Sequence, residues 1–234
     1  MASHELKVGG ITPFTATDYP GKLAAVVFVQ GCPWRCGYCH NPHLQLRTID
    51  SPLHWSRVME LLKRRVGLID AVVFSGGEST IDPALPDAIG DARGLGFKIG
   101  LHTAGTYPKR LAKVLPLVDW VGLDIKAPFE NYARITAVSD SGKYALESAE
   151  AVLGSGVDHE FRTTIHPSLL DEDEIFDLAR TLANMGVQDY ALQVFRAQGC
   201  RDEELNAIGT VGYPSADLVQ RVSDLFPRFT LRKS

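Results

Sequence analysis

Leu23-Ala24-Ala25-Val26-Val27-Phe28-Val29-Gln30-Gly31-Cys32-Pro33-Trp34-Arg35-Cys36-Gly37-Tyr38-Cys39 joins a continuous apolar run to three cysteines within eight residues. The run Leu23–Val29 is partly β-branched, as a strand buried on both faces should be. The loop after it holds three of the four cysteines in the chain. Soft thiolate ligands favour zinc or an iron–sulfur cluster. A structural zinc site needs four protein ligands, so His40, His43 or Cys200 would have to join. His40 directly follows Cys39, which makes shared tetrahedral coordination awkward. A four-iron cluster also takes four ligands, and three cysteines would leave one iron open to a small molecule. A disulfide would leave an odd thiol, and nothing else points to an oxidising compartment.

At 234 residues the chain can bury a substantial core without disulfides. Its 28 Asp plus Glu against 24 Lys plus Arg give no electrostatic case for nucleic-acid binding. Met1-Ala2-Ser3-His4-Glu5 lacks a charged-then-apolar signal pattern, and no lipidation motif appears. The longest early apolar run, Leu23–Val29, is far too short to span a membrane. A cytoplasmic location without membrane association is therefore expected.

Residues 1–22 carry the turn signals Gly9-Gly10, Pro13 and Asp18-Tyr19-Pro20-Gly21, and form an extended lead-in. Further strands are predicted at Ala71–Phe74, Lys98–Leu101, Trp120–Ile125, Phe161–Ile165 and Tyr190–Phe195, with a short terminal one at Phe229–Leu231. Helices are predicted from an N-cap at Ser51-Pro52 to Gly67, around Pro83–Ala92, from Pro108, over Lys143–Leu153, over Asp171–Met185 and over Ser215–Leu225. The stretch Lys126–Gly142 reads as polar and irregular. Six strand–helix units imply a mostly parallel sheet with right-handed crossovers. Doubly wound and barrel arrangements both satisfy that pattern. Polar or glycine-rich clusters follow the strand ends, which favours an incomplete (β/α)6 barrel with its site at the strand C-termini. Residues 1–234 are expected to form one domain.

Ser75-Gly76-Gly77-Glu78 puts two residues without Cβ atoms at a strand end, where backbone can approach a ligand or simply turn tightly. Asp124 and Lys126 lie two apart on a strand and share a face, either as an ion pair or as a site. Arg162 and Arg196 close strands five and six, and the planar guanidinium suits carboxylates. Tyr38 is a candidate for packing on adenine or for filling space. His40-Asn41-Pro42 reads as a turn and Cys200 as a free thiol.

The cysteine spacing, the aromatic Tyr38 before the third cysteine and Ser75–Glu78 one strand–helix unit later resemble the radical S-adenosylmethionine (radical SAM) enzymes. Gln30–Cys36, Cys39-His40-Asn41-Pro42 and Asp119–Pro128 are similar to one subgroup, the activating proteins of anaerobic ribonucleoside-triphosphate reductase. The resemblance implies that Cys32, Cys36 and Cys39 hold one 4Fe-4S cluster whose open iron is chelated by S-adenosylmethionine. It implies that Ser75, Gly76, Gly77 and Glu78 receive the methionyl ammonium, and that Asp124 helps hold a monovalent cation. Tyr38, Arg162 and Arg196 complete the expected cofactor-binding set, with no catalytic residue beyond the cluster ligands. Two departures stand out: Ser79 where the family usually has proline, and His102 where activases often have aspartate. The implied activity is reductive cleavage of S-adenosylmethionine to a 5′-deoxyadenosyl radical, which takes a hydrogen atom from a glycine of the reductase. The implied partners are that glycyl-radical enzyme and an electron donor such as flavodoxin or ferredoxin. A radical SAM enzyme acting on a small molecule, as in deazapurine synthesis, and a non-catalytic zinc protein are the alternatives.

Overall fold

A computed structural model describes residues 5–233. Eight strands form one sheet in chain order: β1 (Val8–Thr15), β2 (Ala24–Val29), β3 (Ala71–Gly76), β4 (Lys98–Thr103), β5 (Trp120–Asp124), β6 (Asp158–Ile165), β7 (Asp189–Val194) and β8 (Arg228–Arg232). β1 runs antiparallel to β2, and every later neighbour is parallel. The helices are α1 (Trp55–Lys63), α2 (Leu85–Gly94), α3 (Pro108–Val114), α4 (Tyr132–Thr136), α5 (Ser141–Ser155), α6 (Glu172–Asn184), α7 (Glu203–Ala207) and α8 (Ala216–Ser223).

Strand alternation sorts the side chains onto two faces. Ala25, Val27 and Val29 of β2, Val72 and Phe74 of β3, and Ile99 and Leu101 of β4 share one buried cluster with α1, α2, α3, α5, α6 and α8. A doubly wound sheet would carry helices on both faces. Here one face takes them all, which settles the choice in favour of the open barrel. The opposite face is filled only at its lower end. Ala24, Val26, Ala71, Val73 and Trp120 form a second buried cluster there, and Tyr19 from the β1–β2 connection stacks on Trp120 at 5.2 Å. Above that plug the inner face turns polar.

The six strands expected from the apolar runs are β2–β7. The lead-in proves to be a full strand, β1, paired along the edge of β2. Ser51 does not cap a helix: its hydroxyl donates to Val8 O and accepts from Val8 N, both at 2.8 Å, while α1 starts at Trp55. α6 begins as expected, with Asp171 and Glu174 forming a reciprocal capping box. Lys126–Gly142 is not irregular throughout, because α4 lies within it and α5 already starts at Ser141. α7 has no counterpart among the predicted helices. Among the described residues no helix is long and apolar enough to cross a membrane.

Candidate active site

The cysteine loop leaves β2 and is fastened from two sides, by Leu44-Gln45 and by Thr136. Gly31 N donates to Leu44 O at 2.7 Å, Cys32 N to Gln45 O at 3.1 Å, and Arg35 N to Thr136 O at 2.9 Å. Trp34 is buried and meets Tyr132 of α4 edge-on at 5.5 Å. Cys32, Cys36 and Cys39 all line one cleft at the C-terminal end of the sheet. Burial, aided by Glu78, pushes the Cys32 thiol up to about 12, and burial raises Cys36 against the opposing pull of Lys126. Metal ligation there would displace protons. Among the described residues no three His, Cys, Asp or Glu side chains are gathered tightly enough for a single metal ion. Cys200 lies outside this cleft, its Sγ 3.5 Å from Gly37 O.

Ser75, Gly76 and Gly77 line the same cleft, but Glu78 does not. Gly76 has φ +126°, and a Cβ there would lie 2.2 Å from Val29 O. A Cβ on Gly77 would lie 2.4 Å from Gly31 O, and Glu78 N donates to that same carbonyl at 2.8 Å. The glycines therefore let the β3 loop nest against the root of the cysteine loop. The Glu78 carboxylate is buried beneath. It accepts from Thr80 N (3.1 Å), Thr80 Oγ1 (2.6 Å), Thr103 Oγ1 (2.7 Å) and Ala104 N (2.9 Å). Its oxygens are taken up in tying the β3 loop to the end of β4. Thr103, which completes that tie, lies in the strand-end segment His102-Thr103-Ala104-Gly105.

At the end of β5, Asp124 and Lys126 share the cleft, with Lys126 Nζ 3.8 Å from Asp124 Oδ2. Lys126 Nζ stands 5.4 Å from the centre of the buried Tyr38 ring. Burial disfavours its ammonium, but Tyr38 and Asp124 outweigh burial and hold it well above the ordinary lysine range. Lys126 N donates to Tyr132 Oη at 2.9 Å, so the residue that supports Trp34 also fixes this segment. Spacing alone gave no hint of Tyr132.

Arg162 is buried on the inner face. Its Nε donates to Glu160 Oε1 at 2.7 Å, and its guanidinium lies 5.0 Å from the centre of the Trp120 ring. Gly122 makes room, since a Cβ there would meet Arg162 Cζ at 2.6 Å. Arg232 of β8 closes on the same carboxylate with two bonds, to Oε1 at 2.8 Å and Oε2 at 2.7 Å. Burial opposes the Glu160 charge, yet the two arginines prevail and hold it below the usual carboxylate range. Glu160 is two residues before Arg162, so the face-sharing rule that flagged Asp124 and Lys126 applies to it equally. His102 Nε2 donates to Asp18 O at 2.7 Å. Burial and the charge of Arg162 hold His102 well below the ordinary imidazole range, so the ring is neutral. Arg196 stands apart, in an adjoining outer half of the cleft with Arg232 and Lys233. His166 lies away from both, accepting from Ser168 N at 3.1 Å.

Residues 26–188 match the family model of the radical SAM superfamily. The chain belongs to that superfamily. Membership implies S-adenosylmethionine and an iron–sulfur cluster as its cofactors. This radical SAM protein is 31% identical over 209 residues to a Methanocaldococcus jannaschii protein assigned as a glycyl-radical enzyme activating enzyme, with 86% of this chain and 85% of that one covered. It is 32% identical over 187 residues to the pyruvate formate-lyase-activating enzyme of Clostridium pasteurianum, covering 76% and 77%. Streptococcus suis SuiB bound to S-adenosylmethionine has a similar fold, with a TM-score of 0.66 at 12% identity. That match covers 88% of this radical SAM protein and 48% of the SuiB chain, so it spans about half of SuiB.

Proposed function

We propose that this protein cleaves S-adenosylmethionine reductively and installs a glycyl radical on a partner enzyme, an anaerobic ribonucleoside-triphosphate reductase. The observation that carries it is the convergence of Cys32, Cys36, Cys39, Ser75, Gly76, Gly77, Asp124 and Arg162 on one cleft at the strand C-termini. A structural zinc site takes four protein ligands, whereas the three cysteines that line this cleft leave a fourth position open. That donor set suits a 4Fe-4S cluster held by Cys32, Cys36 and Cys39. Such a cluster, when bound, supplies an electron to S-adenosylmethionine, drawn from a donor such as flavodoxin or ferredoxin.

The chain's own groups do the rest. The nested β3 loop presents backbone from Ser75–Gly77 toward the methionyl end of the cofactor. Tyr38 offers an aromatic surface, and Lys126 and Asp124 offer opposite charges beside it. Arg162 is held rigid by Glu160, so it presents fixed positive charge rather than a swinging arm. Arg196 lies farther out and is placed to meet substrate as readily as cofactor. The neutral His102 and the Arg162 cation 3.3 Å from it offer no negative oxygens to a monovalent cation. Asp124 is left as the acidic candidate for such a site, so cation binding is not part of the proposed function.

The similarity to activating enzymes over most of both chains supports a glycine in a protein loop as the target. The test is anaerobic incubation of the iron-loaded protein with S-adenosylmethionine, a reductant and the reductase from the same cell. A doublet electron-paramagnetic-resonance signal on the reductase, with gain of its activity, is expected. Turnover of a carboxylated pterin without any protein radical would replace this function with the small-molecule one.

A further inference from the structure

Among the described residues that line the cleft, Lys126 is a buried charge that has the Tyr38 hydroxyl as a hydrogen-bond partner but no close ion pair. Its side chain is only 11% exposed, yet Asp124 stands 3.8 Å away and is itself 43% exposed. Glu78 and Glu160, by contrast, are saturated by short hydrogen bonds. A buried ammonium with one loose counter-charge is costly unless another anion shares its surroundings. The groups that share this cleft are the thiols of the cysteine loop, and Tyr38, under Nζ, lies between Cys36 and Cys39 in that loop. The Tyr132 hydroxyl locks the Lys126 backbone, and the Tyr132 ring packs on Trp34 of the same loop. The ammonium is therefore fixed in relation to the cysteines rather than free to swing away.

We propose that the Lys126 ammonium sets how readily a cluster held by Cys32, Cys36 and Cys39 accepts its electron, a role that rests on the cluster assignment above. Three thiolates outweigh the charge of an oxidised core, and an added electron makes the assembly more negative still. No proton need accompany it. A fixed positive charge in a poorly screened site stabilises the reduced state more than the oxidised one. Asp124, the nearest opposite charge, works against Lys126, so the pair forms a matched set of opposing influences.

The experiment is a redox titration of iron-loaded protein followed by the electron-paramagnetic-resonance signal of the reduced cluster, without S-adenosylmethionine or partner. Iron content of the unaltered protein tests the cluster assignment separately: failure to load iron would remove that assignment before any potential is read. Given a loaded cluster, Lys126→Met should make reduction at least tenfold less favourable, which is 59 mV for a one-electron couple. Lys126→Arg should restore most of that loss, and Asp124→Asn should shift the potential the opposite way. An unchanged potential in loaded Lys126→Met, or an equal drop in Lys126→Arg, would overturn the proposal. If Lys126→Met does not load iron, Asp124→Asn decides, and no upward shift there overturns it.

Discussion

The half-buried thiols and the buried Glu78 carboxylate at the mouth of the sheet do different jobs, although they lie near the same loop. Cys32, Cys36 and Cys39 line the cleft, while Cys200 touches the loop only from outside, against the Gly37 carbonyl. Alanine at any of the three should abolish iron uptake and formation of 5′-deoxyadenosine, and Cys200→Ala should retain both. Iron per chain after anaerobic loading is the measurement. Glu78 was expected among the cofactor ligands, but its carboxylate is enclosed by four donors from Thr80, Thr103 and Ala104. Glu78→Gln removes the charge and turns one carboxylate oxygen into an NH2 donor, where the partners Thr80 N, Thr80 Oγ1, Thr103 Oγ1 and Ala104 N all donate to the native side chain. The loss should be about 1–3 kcal/mol, the usual effect of a charged hydrogen bond broken in a buried site. A shift in the midpoint of urea denaturation, measured on the iron-free protein, checks it.

At the scale of elements, the contact between the β3 loop and the cysteine loop couples two motifs that are far apart in the sequence. Gly77→Val would force a side chain against Gly31 O at the root of the cysteine loop and against Leu44 O, the carbonyl that fastens that root. Iron loading should therefore fall along with cofactor affinity, not affinity alone, and iron analysis of the purified variant separates the two. The alternating strands and helices were legible because continuous apolar runs such as Ala71–Phe74 and caps such as Asp171 and Glu174 are local signals. The cysteine triad and Ser75–Gly77 were legible because their spacing is unusual for ordinary turns. α4 was not, since five residues are too short to show a helical period. Its importance comes from Tyr132 reaching Trp34 and Lys126, which are contacts made only after folding. Ser51 misled for a related reason. A serine before proline is a good helix start in isolation, but pairing with Val8 on β1 claims the same hydroxyl.

Across the whole molecule, the inner face carries a chain of charge from β8 through Glu160 to Arg162 and then to the neutral His102. The fold keeps His102 from taking up a proton that the unfolded chain binds near pH 6.5. The unfolded state then holds more protons, so stability is full above about pH 6.5 and falls as the pH drops below it. Stability should fall as the pH is lowered from about 7.5 to about 5.5, and His102→Gln should flatten that slope in urea denaturation. Lys233, just after β8, borders the outer half of the cleft together with Arg196. A segment appended after this point is thus leashed to the doorway. A glycine-bearing loop from the partner, fused there through a short flexible linker, would face the site at an effective concentration on the order of millimolar. Such a fusion should convert a two-protein encounter into self-modification, with a rate that no longer depends on how dilute the sample is.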